Sequence, residues 1–404
     1  MGSLTCGTLL VQRGWRVVIL TETQPAEVYT FSWNGWCFDR WPEFFWGLEE
    51  GGVLYRVFAS LGCQLEAIRL HPGVQALLPG HRVGFYPPGP EWERELRREF
   101  PRSAQPLIAC LEQLSQIHRV TRSKMEAHLL GKRSWRPSPM IGREPLGRFL
   151  PRFDLDPALC RMVAVLTAAC FSVEPEATTV AMAAALFGHI HHGLFVLRGG
   201  IGGLVAQLSS RFRALGGEMR PGRPQEIRTG WRRVQGVKTL EEEELHCHHL
   251  VVEPGWTSVH PGLYLRLDEA FIPGEMGRNV LILEPRSEGA DLQAILQLTV
   301  TDGGGFPQAS EERRAVTIKL LHAPPEDPLI FLERFFPGWS RAEVTFAPPP
   351  LSSGISYSLS GRWLRPVNLT ILSHQCPLGT GVAASILQGY QAALRLSSRS
   401  FTAG

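Results

Sequence analysis

The sequence predicts an α/β protein in which a parallel sheet is interwoven with a second, α+β domain. Two observations indicate the parallel sheet: an amphipathic helical pattern runs directly into an apolar strand within residues 4–20, and the same order returns within residues 204–237. A third observation indicates the second domain, because residues 279–323 contain three strand-like runs separated by Gly, Pro and Asp turns. The chain has 404 residues, which is long enough for both domains.

The amino-terminal passage begins with a short helix and continues with a strand and a hairpin. A leucine-rich segment within residues 4–12 predicts the helix, Gly14 ends it, and the β-branched run within Arg16–Leu20 predicts the strand. The aromatic stretch FSWNGWCFDRWPEFFWG follows, and its Asn34-Gly35 pair predicts a turn between two short strands. We expect most aromatic residues of Trp33–Trp46 to pack in the core, although they could also line an apolar channel.

The rest of the chain alternates between helical and strand-like segments. Helical patterns dominate residues 90–190, at Trp92–Phe100, Leu107–Thr121, Pro157–Phe171 and Ala177–Phe187. A helix ending at Gly216-Gly217 precedes short strands predicted at Glu218–Arg220, Pro224–Arg228, Val234–Val237 and Leu250–Val252. The runs NVLILE, LQAILQLTVT and RAVTIKLLHA predict an antiparallel sheet, LIFLERFFPGW predicts a short helix, and PLGTGVAASILQGYQAA predicts a loop with glycines that opens onto a closing helix.

Composition and charge exclude several classes of protein. The formal net charge is +3 and the basic residues are scattered, so we expect no nucleic-acid partner. The eight cysteines lie far apart without a CxxC pair, which is typical of free thiols in a reducing, cytoplasmic compartment. No signal peptide is visible, and the longest apolar stretch, Met162–Phe171, is too short to cross a bilayer. We therefore expect a soluble protein, or one attached to a membrane surface.

Several patterns admit both a functional and a structural interpretation, and we favour the structural one. GGIGG at Gly199–Gly203 looks like a phosphate-binding loop but lacks a preceding apolar strand of the right spacing, so a tight entry into a helix is expected. The histidines of FGHIHHG and those around Cys247 lack companion ligands, so no metal site is predicted. Glu241–Glu244 is expected at a solvated hairpin tip, and no nucleophile motif or P-loop is present.

Four longer patterns occur in a characteristic order: GSLTCGTLLVQRGWRVVILTE, WNGWCFDRWPEFFWG, LRGGIGGLVAQLSSRFRALGGEMRPGRPQEIRTGWRRVQGV and PLGTGVAASILQGYQAA. The stretch LERFFPGWSRAEVTFAPPP adds a fifth. Together they resemble the FAD-dependent oxidoreductase family that includes phytoene desaturases, carotenoid isomerases and amine oxidases, and they cover nearly the whole chain. The resemblance implies an FAD/NAD(P)-binding Rossmann-like domain interwoven with an α+β substrate domain.

The resemblance also implies a division of the chain and a reaction. The FAD-binding domain would comprise residues 1–70, 196–258 and 351–404, the helical substrate lobe residues 71–195, and the substrate-domain sheet residues 259–350. The cofactor would be FAD and the substrate apolar, with desaturation or isomerisation of a carotenoid-like polyene favoured over amine oxidation. In such chemistry the flavin accepts a hydride and protein residues bind, orient and exclude water, so we name no catalytic acid or base. A polyene substrate would bring the helical lobe to a membrane surface.

The cofactor contacts that the resemblance implies lie at two helix amino termini and one strand end. Free N–H groups and the helix dipole favour an anion at a helix amino terminus. The implied contacts are Gly2 and Ser3 for the pyrophosphate, Thr21 or Glu22 for ribose, Pro224 for adenine, and Gly379, Thr380, Gly381 and Val382 for the flavin ring.

The sequence departs from the family pattern at several of these positions. Ser3 stands at the third glycine of the GxGxxG fingerprint, so the first strand of the sheet would lie before Met1, because of either a late start codon or a truncated gene. Thr21 stands at the position of the acidic ribose ligand, with Glu22 one residue later, and Pro224 has no N–H to offer adenine. An alternative therefore stays open: a non-catalytic relative that no longer holds flavin and binds an apolar ligand.

Overall fold

A computed structural model describes residues 1–40, 43–129, 142–231, 233–253, 262–285, 292–301, 313–346, 366–373, 375–376 and 379–400. The helices are α1 (Gly2–Gln12), α2 (Val53–Leu61), α3 (Pro90–Glu99), α4 (Ala104–Leu129), α5 (Leu146–Phe149), α6 (Pro157–Phe171), α7 (Val180–His192), α8 (Gly200–Ala214), α9 (Pro328–Glu333) and α10 (Gly381–Ser400). The strands of the first half are β1 (Val18–Thr21), β2 (Thr30–Trp33), β3 (Trp36–Asp39), β4 (Phe45–Trp46), β5 (Ala67–Arg69), β6 (Val74–Leu78), β7 (His81–Phe85) and β8 (Leu194–Leu197). Those of the second half are β9 (Glu218–Pro221), β10 (Pro224–Gly230), β11 (Arg233–Thr239), β12 (Glu244–His246), β13 (Leu250–Val252), β14 (Gly262–Asp268), β15 (Asn279–Pro285), β16 (Leu292–Thr301), β17 (Arg313–Leu320), β18 (Glu343–Phe346), β19 (Leu369–Ile371), β20 (Gln375–Cys376) and β21 (Gly379–Thr380).

The parallel part of the fold consists of two strand pairs. Strand β1 pairs in parallel with β9, and β13 pairs in parallel with β19, each as a separate two-stranded sheet within the described residues. Helix α1 packs on β1 and α8, because Gly7 lies against Ile19 and Phe212. Both predicted helix-then-strand passages are therefore confirmed, and they meet in one layer where β1 and β9 pair.

A seven-stranded sheet forms the second layer, in the order β18-β14-β17-β16-β15-β6-β7. The predicted antiparallel pairing of β15, β16 and β17 is confirmed. Strand β6 joins this sheet parallel to β15 and pairs with β7 as a hairpin. All five residues of Val74–Leu78 are buried, which explains why this run forms an inner strand although it lies within the range predicted as the helical lobe.

The helical lobe contains α3, α4, α6 and α7 and confirms the predicted helical run of residues 90–190. Helix α6 begins at an Asp156 cap, whose carboxylate accepts from the amide of Ala158 at 2.8 Å. Among the described residues, no helix combines the length and the apolar character needed to cross a bilayer.

The aromatic stretch after β1 packs largely in the core, as predicted. Phe38, Phe45 and Trp46 are almost fully buried, and Phe38 meets the ring of Tyr264 edge-on at 5.8 Å between centroids. The predicted turn is also confirmed, because Asn34 and Gly35 both have positive φ, 47° and 79°, between β2 and β3.

Helices α1 and α10 cross at a backbone contact that only glycine permits. A Cβ atom added at Gly389 would lie 2.0 Å from the carbonyl oxygen of Gly2, and one added at Gly2 would lie 2.7 Å from that of Ser385. The atoms that would clash belong to the backbone and cannot move aside as a flexible side chain could. The close approach of the two helices therefore depends on the two glycines.

We predict that Gly389→Ala destabilises the protein although alanine favours helices. The methyl group would force the two helices apart and cost about 1–3 kcal/mol or more of unfolding free energy. Gly203→Ala is the matched control, because Gly203 is also helical and its Cβ position is open; this change should be neutral or stabilise by up to about 1 kcal/mol. Urea unfolding of the three proteins measures both effects, and equal stability of Gly389→Ala and wild type would contradict the close packing.

Candidate functional site

The amino terminus of α1 holds a carboxylate of the protein itself. The backbone amides of Gly2 and Ser3 donate to Glu253 Oε1 and Oε2 at 2.9 and 2.8 Å. The Ser385 hydroxyl, from α10, donates to Glu253 Oε1 at 2.5 Å and accepts from the Gly2 amide at 2.9 Å. Glu253 directly follows β13, so the end of a parallel strand delivers the carboxylate to the helix dipole.

The carboxyl of Glu253 is held in its ionised form. Its side chain is only 14% exposed, and burial alone would raise its pKa. That effect is outweighed by four donors, which together lower the pKa well below its usual range: the amino group of Met1, the hydroxyl of Ser385 and the amides of Ser3 and Gly2. The anion expected at this helix terminus is therefore already supplied.

A second carboxyl group lies at the amino terminus of α10. The backbone amide of Val382 donates to Glu43, and a Cβ atom added at Gly381 would lie 2.9 Å from both Glu43 carboxyl oxygens. Gly381 has a φ of 83°, so this close approach requires glycine both sterically and conformationally. Burial raises the pKa of Glu43 to about 8, although the charge of Lys319 and the Val382 amide act in the opposite direction.

The surroundings of Glu43 combine a base and a thiol. Burial lowers the pKa of Lys319, on β17, against the opposing charge of Glu43. Burial raises the pKa of the Cys170 thiol to about 12, and the carbonyl of Cys170 accepts from the Thr380 hydroxyl at 3.1 Å. This thiol is therefore protonated and not a nucleophile at neutral pH.

A third carboxyl group lies at the amino terminus of α8. Asp39 Oδ1 accepts from the Ile201 amide at 2.9 Å, and the amide of Gly202 donates to the same carboxyl. Burial raises the pKa of Asp39 to about 7 against these two hydrogen bonds. GGIGG therefore forms a tight helix entry, as predicted: Gly199 and Gly200 have φ of 85° and 64°, and a Cβ atom at Gly200 would lie 2.9 Å from Asp39. The expectation that no apolar strand precedes GGIGG is wrong, because the largely buried strand β8 (Leu194–Leu197) leads directly into it.

These contacts do not fit FAD bound as the resemblance implies. The amides of Gly2 and Ser3, expected to face the pyrophosphate, donate to Glu253. The amide of Val382, expected beside the flavin ring, donates to Glu43. An anionic cofactor would have to displace both carboxyl groups, one of them ionised, and we derive no step through a flavin.

The remaining implied contacts lie at the carboxyl end of β1. The Thr21 hydroxyl donates to the Thr23 carbonyl at 2.5 Å, and Glu22 lies 3.6 Å from the guanidinium of Arg223. The amide of Gly222 donates to the Thr21 carbonyl at 3.1 Å, which brings Pro224, the first residue of β10, to the same end. Gly379 pairs with Cys376 in the short β20–β21 hairpin. The implied residues thus fall into three places, and their role as cofactor ligands stays a prediction.

Sequence reasoning missed the three carboxyl residues that define these helix ends. A signal existed for Glu253, because an acidic residue directly after a buried parallel strand reaches the sheet edge that faces helix amino termini. Asp39 and Glu43 both lie in the aromatic stretch, but their partners are more than 160 residues away in the chain, at Ile201 and Val382. No local pattern could predict those pairings.

The histidines of α7 gather against α4. The ring of His118 stands 5.4 Å from that of His189 and 5.9 Å from that of His192, and Trp46 stacks on His189 at 4.5 Å. Burial lowers the pKa of His118 to about 2, with the nearby histidines and Arg122 adding to the effect. No group of three or more His, Cys, Asp or Glu residues in the described part of the chain is placed to hold a metal ion.

A separate cavity of about 470 Å³ lies at the edge of the seven-stranded sheet. Its apolar wall comes from the β6–β7 hairpin, the loop before β15 and the segment after α9, and consists of Leu77, Leu78, Met276, Phe335 and Phe336. The cavity is open to solvent, and its polar side carries the guanidinium groups of Arg82 and Arg334 and the carboxylate of Glu99. Arg82 pairs with Glu275, and Arg334 pairs with Glu326 and Glu284. The cavity can hold a small molecule with an apolar body and a polar end.

We predict that Glu43→Gln flattens the pH dependence of stability. A carboxyl with a native pKa near 8 and an ordinary value of 4.5 binds a proton more tightly in the folded protein. The stability it contributes is complete below pH 4.5 and is lost as the pH rises towards 8, by up to about 1.4 kcal/mol per pH unit. Wild type should therefore lose more stability than Glu43→Gln over this interval, because Asp39 titrates in both.

Denaturant unfolding at a series of pH values measures this difference. Glu66→Gln is the control, since Glu66 is 79% exposed; its profile should follow that of wild type. Parallel profiles for wild type and Glu43→Gln would contradict the assigned burial of this carboxyl group.

Solved structures with a similar fold include proteins named as oxidoreductases. A putrescine oxidase bound to putrescine has a TM-score of 0.64 at 10% identity, with 98% of this chain and 97% of that chain covered. An oxidoreductase from Methanosarcina mazei has a TM-score of 0.61 at 12% identity, with 98% of each chain covered. A Rab GDI from Plasmodium falciparum has a TM-score of 0.56 at 10% identity, with 97% and 95% covered. No protein-family model matches the sequence, and no curated protein does.

Identities this low establish the fold and leave the activity open. The fold is shared by proteins named as oxidoreductases and by one named as a Rab GDI. The predicted fold class is confirmed: the chain has a mixed α/β fold with a multi-stranded sheet, which it shares with these proteins named as oxidoreductases.

Proposed function

We propose that this chain uses the FAD-oxidoreductase fold without flavin, as a non-catalytic protein that binds a small apolar molecule. One observation carries the proposal: Glu253 supplies the anion that the amino terminus of α1 favours, through hydrogen bonds from the amides of Gly2 and Ser3. Since those amides can serve only one anion at a time, a cofactor phosphate would compete with a carboxylate that belongs to the chain.

The competition favours the carboxylate. Glu253 is tethered by the fold, so it loses no translational freedom on binding, whereas free FAD does. Displacing Glu253 would also break the hydrogen bonds that hold a partly buried charge, which costs about 3–5 kcal/mol and lowers the affinity of FAD by about two to four orders of magnitude. The neutral carboxyl of Glu43 at α10 adds a steric obstacle where the flavin ring would lie.

The flavin-dependent reactions implied by the family resemblance stay predictions. Desaturation or isomerisation of a polyene and oxidation of an amine each need an isoalloxazine ring beside α10. They would require Glu43 and Glu253 to leave the positions in which the structure places them. The same experiment that tests the proposal therefore tests these reactions.

The cavity beside the β6–β7 hairpin is the site we propose for the ligand. Its volume of about 470 Å³ is within the range of small-molecule sites, and Leu77 and Phe336 form part of a buried apolar floor. The guanidiniums of Arg82 and Arg334 are 41% and 51% exposed, so a ligand's anionic end can reach them in competition with the glutamates that pair with them. The supported ligand class is therefore an apolar molecule with one anionic group.

We predict that the purified protein binds no FAD. After incubation with excess FAD and gel filtration, the protein peak should show no flavin absorbance, and heat denaturation should release no flavin fluorescence. The reason is the occupation of both helix termini by Glu253 and Glu43. A yellow protein that releases about one FAD per chain would contradict the proposal and restore the oxidoreductase interpretation.

A variant separates the carboxylate's effect from a general loss of the site. Glu253→Ala frees the amides of Gly2 and Ser3, so FAD should bind this variant more tightly than wild type if the carboxylate is the obstacle. Glu66→Ala, which changes an exposed carboxylate, should leave FAD binding unchanged. Thermal unfolding with and without FAD reports the binding, because a ligand that binds only the folded state raises Tm.

We predict that the cavity binds 1-anilinonaphthalene-8-sulfonate, a probe with an apolar body and one anionic group. Met276→Trp fills the cavity and should weaken binding by about tenfold or more, since the probe would lose most of its buried surface. Fluorescence titration measures the affinity. Val120→Trp adds the same ring at an exposed position of α4 and serves as the control; equal weakening in both variants, or none in Met276→Trp, would place the ligand elsewhere.

A further inference from the structure

The hairpin formed by β10 and β11 ends in an exposed tryptophan. Gly230 pairs with Arg233 at the end of the hairpin, and Trp231 directly follows Gly230. The side chain of Trp231 is 92% exposed, whereas the next most exposed large apolar residue in the described part of the chain, Ile330, is 58% exposed. Exposing an indole ring to water is unfavourable, so the exposure of Trp231 requires an explanation.

The backbone geometry of the turn does not explain why a tryptophan occupies this position. Two-residue hairpin turns favour Asn-Gly or similar pairs, because their backbone needs positive φ. This protein uses such a pair at Asn34-Gly35, between β2 and β3. Trp231 offers no such advantage to the backbone, and its side chain is almost fully exposed.

The surface around Trp231 is apolar and basic. Asn368 accepts from the Val234 amide at 2.7 Å and donates to the Val234 carbonyl at 2.8 Å, which holds the neighbouring Val367, 53% exposed, beside the start of β11. Arg233 is exposed and forms no ion pair with the described residues, and Arg228 is exposed near the same end of the hairpin.

The acidic run of this small sheet begins in the turn opposite the tip. Thr239 ends β11 and Glu244 begins β12, so the acidic run Glu241–Glu244 falls in or beside the opposite turn, as predicted. Of that run, Glu244 reaches back to pair with Arg228, which leaves Arg233 as the uncompensated cation next to Trp231. The hairpin turn therefore carries an exposed indole beside an exposed guanidinium that forms no ion pair with the described residues.

We propose that this hairpin tip, defined as Trp231 and Arg233, docks on the surface of an anionic phospholipid bilayer. Indole rings favour the interface between headgroups and acyl chains, and guanidinium groups beside them attract anionic headgroups. This places the expected membrane contact on the β10–β11 hairpin, in contrast to the helical lobe implied by the sequence resemblance.

Co-sedimentation with vesicles tests the proposal on the full-length protein. Vesicles of phosphatidylcholine alone are compared with vesicles that contain about 30 mol% phosphatidylserine, at low and moderate salt. Wild type should bind the anionic vesicles, and Trp231→Ser should weaken that binding by about tenfold or more. Arg233→Ser should weaken it by several-fold and reduce its dependence on salt.

Tyr55→Ser is the matched control, because Tyr55 is an exposed aromatic residue on α2, 49% exposed and away from the hairpin. It should bind vesicles like wild type, and circular dichroism should show that all variants are folded. Wild-type protein that stays in the supernatant, or unchanged sedimentation of Trp231→Ser, overturns the proposal. A dimer in solution that Trp231→Ser dissociates also overturns it, since the tip would then serve a second copy of the chain.

Discussion

The fold depends on the satisfaction of its helix amino termini by acidic side chains of the same chain. Glu253 serves α1, Asp39 serves α8 and Glu43 serves α10, in each case through backbone amides. Without these partners the amides would be buried donors at the positive end of a helix dipole. The carboxyl groups let the three helices converge on the parallel strands. They also occupy the backbone amides that a cofactor phosphate would otherwise use.

The three groups differ in charge, and the difference follows from their surroundings. Glu253 receives hydrogen bonds from α1 and from Ser385 of α10, so it is ionised. Glu43 and Asp39 have fewer donors against the same penalty of burial, which keeps their pKa values high. The α1–α10 crossing at Gly2 and Gly389 brings Ser385 to Glu253, so helix packing and electrostatics support each other.

The sequence predicted most of the elements and little of the chemistry. Local patterns were sufficient for α1, the Asn34-Gly35 turn and the strands β15–β17, because each depends on neighbouring residues. The pairing of Glu253 with Gly2 joins positions 251 residues apart, and that of Asp39 with Ile201 joins positions 162 apart. Such contacts are properties of the assembled fold. The exposure of Trp231 likewise became visible only once the β10–β11 register was known.

A crystal structure of the protein grown with FAD in excess tests the central claim most directly. We expect the Glu253 carboxylate at the amino terminus of α1, with its oxygens 2.9 and 2.8 Å from the amide nitrogens of Gly2 and Ser3. Density for a pyrophosphate at those two amides, with the Glu253 side chain turned away, would contradict the account.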